Sequence, residues 1–225
     1  MSSVVDICNQ ALANLGDSAT VASIEPPEGS AQAEHCARFY PMALATLLDA
    51  HNWSFATRRS TLAQVANQSS TWQYAYAMPS GALTVLAILD PAATDDYSAS
   101  LGTTTIYSDA LGGTIPSQGV YTPQQFVTET DAEGNDIILT NQADAVARYT
   151  LQVTDSAKFP PLFVEALSWL LTVRLAGPVI KGAEGRAAAK DALSMFSYWY
   201  KQAVTGDCAN QNVKPAQQVA WMNAR

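Results

Sequence analysis

The stretch from Pro160 to Gly177, PPLFVEALSWLLTVRLAG, restricts the fold of this chain more than any other. Two prolines stand where the start of a helix tolerates them, a nearly unbroken apolar run follows, and Gly177-Pro178 offers a stop. Phe163, Leu167, Leu170, Leu171 and Leu175 spread too far around a helix for a one-sided surface element. The segment therefore predicts a central helix with neighbours on several sides. At about 16 residues, with Glu165 and Arg174 inside it, it is a poor match to a bilayer span of about 20 apolar residues.

The neighbours are legible on both sides. Val4, Ile7, Cys8, Ala11, Leu12 and Leu15 recur at helical spacing behind a Ser3/Asp6 capping box, with Gly16 as the stop. Pro26-Pro27 holds the following linker extended. A second helical pattern runs from Ser30 to Ala50, with Pro41 predicting a bend or break inside it. His51-Asn52-Trp53-Ser54-Phe55-Ala56 then places two large aromatics in alternation, Trp53 and Phe55, as anchors between that helix and a sheet. Beyond the central segment, 182–185 is a break. Ala189, Ala192, Leu193, Phe196, Trp199, Tyr200 and Ala203 define a last long helix, antiparallel to the central one.

Between these helices the period changes to two. Trp72, Tyr74, Tyr76 and Met78 alternate with smaller residues as a strand with an aromatic face, and Pro79–Ala82 is the expected turn into a partner strand over Leu83–Leu89. Residues 92–122 are rich in Gly, Ser and Thr and read as an elaborated hairpin or arm. Phe126–Thr130 and Asp136–Thr140 flank a Gly-Asn turn as a hairpin, and Ala145–Val153 alternates as a further strand. The expected fold class is α+β. A helical base of about four helices comes from both chain ends, 1–59 and 156–205, with an antiparallel β-rich insertion over 60–155. A polar tail over 206–225, too poor in apolar residues for a core of its own, follows and takes its order from a partner.

The sequence offers little for catalysis. His35-Cys36, His51 and Cys8 are the soft-ligand candidates for a metal or a hydrolytic site, yet adjacent helix positions point about 100° apart and no C-x-x-C pair exists. Asp131, Glu133, Asn135 and Asp136 surround Gly134, but Ile137, Ile138 and Leu139 follow where a calcium loop needs its closing glutamate. No catalytic residue, metal or cofactor is expected, and the reading is of a protein that is not an enzyme. The formal net charge is −8, with 12 basic residues against 20 acidic ones and no basic cluster, which argues against binding nucleic acid through its phosphates. The opening residues carry no basic stretch before a hydrophobic run, so the expectation is cytoplasmic synthesis without a signal peptide. The aromatic strand leaves one other class open, a non-catalytic scaffold domain that recognises a protein or glycan.

The order of motifs resembles the head-to-tail adaptor family of tailed bacteriophages, of the tail tubular protein A type. The likeness rests on ICNQALANLG at Ile7–Gly16, AEHCARFYPMALATLLDAHNWSFATRR at Ala33–Arg59, YAYAMPSGALTVLAI at Tyr74–Ile88, and the run from Glu133 to Gly182. It implies a structural virion protein at the head-tail junction, forming a twelve-fold ring beneath the portal. Such a ring extends the DNA channel without sequence-specific binding and carries the tail, nozzle or stopper; no membrane is involved. By position, Trp53, Phe55 and Arg58 would fix the helix-sheet junction, and Tyr76, Met78 and Pro79, near Trp72 and Tyr74, would open the β-part. Asp155, Phe159, Phe163 and Ala166 would shape the start of the central helix. The tail ending Trp221 to Arg225 resembles segments that become ordered on the portal.

Overall fold

The computed structural model describes residues 2–18, 20–91 and 124–209. The Gly/Thr-rich span and the last sixteen residues, including Trp221 and Arg225, lie outside the described residues. The fold is mixed α+β, as expected, with antiparallel sheets inserted between helices from both ends of the chain. It divides into two compact units: a helical one, up to Thr57 and again from Gln152 through the last helix, and a β unit from Arg58 to Leu151.

In the helical unit, α1 (Val4–Asn14) is fixed at its start by a reciprocal capping box. The Ser3 hydroxyl accepts from the Asp6 amide at 3.1 Å, and the Ser3 amide donates to the Asp6 carboxylate at 2.8 Å. The second helix, α2 (Ala31–Asp49), runs unbroken through Pro41. Pro41 is exposed, while Tyr40, Ala43 and Leu44 beside it are buried, so packing holds the helix where one backbone bond is missing. The predicted central helix is α3 (Pro161–Ile180), with Pro161 in its first turn and ten buried residues. It also passes through Gly177 and Pro178, ending only where Lys181 turns to a φ of +62°. Helices α1, α2 and α4 (Gly182–Ala209) all pack on it. Although α3 has the length and composition of a membrane span, its apolar surface is largely occupied by these neighbours.

Two small-residue contacts tighten this packing. The Thr172 hydroxyl, fully buried, lies within hydrogen-bond reach of the Ala11 carbonyl, 161 residues earlier, at 3.3 Å. Gly185 of α4 lies so close to α3 that a Cβ there would stand 2.9 Å from the Ala176 carbonyl oxygen. The last helix is longer than the apolar pattern predicts. It begins at Gly182 rather than after a break and continues to Ala209, so residues 206–209 belong to it rather than to the tail.

The β unit contains two antiparallel sheets. One has the order β1 (Thr57–Thr61), β7 (Val146–Leu151), β4 (Ala82–Leu89); the other has the order β2 (Gln64–Val65), β3 (Tyr74–Ala77), β6 (Asp136–Thr140), β5 (Phe126–Thr130). The predicted β5–β6 hairpin forms, with Thr130 opposite Asp136. The predicted pairing of the aromatic strand with its successor does not occur. Strand β3 pairs with β6, Tyr76 opposite Ile138, while β4 joins β7 in the other sheet. Both sheets contribute to one core through Tyr76, Ile138, Val85, Ile88, Ala147 and Tyr149.

Strand β4 reaches that core by an irregular route. Ala82, Val85 and Ile88 contact it although they are three residues apart, whereas regular pleating would send alternate members to opposite faces. Register shifts between Ala82 and Thr84 and between Val85 and Ala87 each insert one residue, which returns the next side chain to the same face.

Candidate functional site

The residues named from sequence separate into two groups. Trp53, Phe55, Phe159 and Phe163 are brought together in the helical unit. Trp53 is 1% exposed and Phe163 0%, and their rings meet edge-to-face with centroids 5.0 Å apart. Phe55 is 5.0 Å from Phe163 and Phe159 is likewise 5.0 Å from it, so one phenylalanine near the start of α3 is enclosed by three rings. The indole Nε1 of Trp53 donates to the Leu47 carbonyl at 2.8 Å, satisfying the polar end of a buried side chain. This cluster is a structural anchor of the unit, with Phe55 half-buried at its edge. Asp155 caps the short 3-10 turn Ser156–Lys158 by accepting from the Ala157 amide at 3.1 Å and lies 3.5 Å from Lys158. Ala166 is fully buried in α3.

Beside the rings stands a buried carboxylate that the sequence reading missed. Asp207, 6% exposed, lies 3.1 Å from His51 Nε2 and accepts the Ser54 amide at 3.1 Å and the Ser54 hydroxyl at 2.5 Å. The same segment is held again by Tyr200, whose hydroxyl donates to the Ala50 carbonyl at 2.8 Å. The signal was available in the helical spacing, since Asp207 stands four residues after buried Ala203 on the face that packs inward.

Ser, His and Asp together invite comparison with a hydrolytic triad, but the connectivity differs. A nucleophilic serine gives its proton to the imidazole, which the carboxylate orients from the far side. Here Ser54 donates to the carboxylate itself, and both serine and histidine converge on Asp207. The arrangement clamps a turn. His35 and Cys36 do not join it. Cys36 is fully buried beside Cys8, and the hydrogen bond that the Cys8 thiol donates to Cys36, together with burial, pushes the Cys8 thiol well above its ordinary range, away from thiolate chemistry. Among the described residues no three His, Cys, Asp or Glu side chains gather as a metal site.

In the β unit, Tyr76 is a core residue, 1% exposed, with its hydroxyl donating to the Gln142 carbonyl at 2.9 Å. Tyr74 packs on the same core, but Trp72, just before β3, packs against Ala75, Ile137 and Leu139 on the opposite face. The expected single aromatic face is therefore divided. Met78 and Pro79 line an open depression of about 410 Å³ with Val65, Asp131, Asp136 and Ile137. Asp131 is committed there to its own turn. It accepts from the amides of Asn135 at 2.7 Å and Glu133 at 3.0 Å, and the Asn135 bonds chiefly hold its carboxyl below the ordinary range. Arg58 is exposed on β1.

Among the described residues, the large apolar side chains left exposed are Met42 on α2, Leu162 on α3, Val127 on β5, and Leu193, Met195 and Tyr198 on α4. The three on α4 are about half exposed within six residues of one helix; of them only Leu193 was read from sequence as part of its apolar side. A comparison with known proteins finds no family model and no curated protein that matches this chain.

Proposed function

We propose that this chain is a structural head-to-tail adaptor of a tailed bacteriophage, which assembles as a ring beneath the portal, prolongs the DNA channel and carries the tail-side protein. The observation that carries the reading is the discontinuous helical unit, in which α1, α2 and α4 pack on α3, interrupted by an inserted antiparallel β unit. That is the architecture read from the helical and strand spacing of the sequence. The motif residues Trp53, Phe55, Phe159 and Phe163 form its aromatic anchor, which gives the resemblance a physical basis in one cluster.

Two further features suit the role. An acidic chain with no basic cluster can border a DNA path without holding phosphates. Leu193, Met195 and Tyr198 offer apolar area to neighbouring subunits, where many modest contacts sum around a closed ring. In this reading residues 210–225 attach to the portal, and the twelve-fold count follows that of the portal.

The test is cryo-electron microscopy of the protein mixed with the portal ring of the same virus. A second ring coaxial with the portal is the expected result. Folded protein at high concentration that leaves the portal undecorated overturns the reading and favours a scaffold domain with a soluble ligand.

A further inference from the structure

We draw no further inference here: the strongest candidate, the apolar patch that Met195 and Tyr198 leave exposed on α4, carries nothing because nothing in the structure shows what covers it.

Discussion

The Asp207 carboxylate and the His51 imidazole, 156 residues apart in sequence, meet at 3.1 Å. With the two bonds from Ser54, this contact ties the last turns of α4 to the segment that follows α2. Replacing Asp207 by Ala leaves a buried amide and a hydroxyl without their acceptor. The expected loss is about 2–4 kcal/mol, smaller for Asp207→Asn, which keeps one oxygen. Urea denaturation of the purified variants measures it. The same contact sets where the chain can be shortened. A protein ending at Ala209 retains cooperative unfolding, whereas one ending at Thr205 loses Asp207 and unfolds at clearly lower urea.

Trp53→Ala removes a side chain that is 1% exposed and takes ring contacts away from Phe55, Phe163, His51 and Tyr200. Truncations of this kind cost about 3–5 kcal/mol. Trp53→Phe keeps much of the apolar volume but leaves the Leu47 carbonyl without its indole donor, so an intermediate loss is expected. Near-ultraviolet circular dichroism alongside the denaturation curve distinguishes a loosened aromatic cluster from global unfolding.

Tyr40 is 6% exposed, and its hydroxyl has no hydrogen-bond partner among the described residues. Burial pushes its phenol up to about 12. The folded state therefore holds this proton more tightly than the unfolded chain. The resulting stabilisation is complete below the ordinary tyrosine value of about 10 and disappears as pH rises through the folded-state value. Tyr40→Phe should be neutral or up to about 1 kcal/mol more stable at pH 7, because it removes an unsatisfied polar group. It should also lose less stability than the parent between neutral and strongly alkaline pH. A thermal melt series across that range checks both.

Gly185→Ala places a methyl group 2.9 Å from a backbone oxygen of α3, which no side-chain rotation can relieve. The helices must separate slightly, at an expected cost of about 1–3 kcal/mol. Gly177→Ala serves as the contrast. Its added methyl meets nothing within 4 Å, and the change in stability should stay within about 1 kcal/mol. Differential scanning calorimetry of the two variants side by side separates close packing from helix propensity.

Local features were legible in the sequence. The Ser3/Asp6 box, the turn around Gly134 and the all-round apolar character of Phe163–Leu175 each declare an element within a few residues. Features settled by distant partners were not. Tyr74–Ala77 and Ala82–Leu89 are joined by a short turn that looks like a hairpin, yet Ala75 finds Leu139 and Val85 finds Tyr149. Adjacency gave the wrong partner because each strand has to bury two different faces, and only the later strands supply both. The spacing of three in β4 hid its inward face, since the two register shifts depend on β7. Pro41 and Gly177-Pro178 were read as breaks because propensity ignores the packing that carries both helices past them. Asp207 was passed over because the residues from 206 onward read as a polar tail beyond the last helix, whereas α4 continues to Ala209.

The central place of α3 has a consequence for how the protein is made. Helices α1 and α2 both pack on α3, but a ribosome releases them long before α3 exists, with the whole β unit synthesised in between. An isolated helix of 11 residues such as α1 is marginal in water. The nascent chain therefore carries Ile7, Leu12, Leu44 and Leu47 without their final cover while the β unit emerges and folds first. Protection of those side chains during translation is therefore a demand separate from the stability of the finished protein.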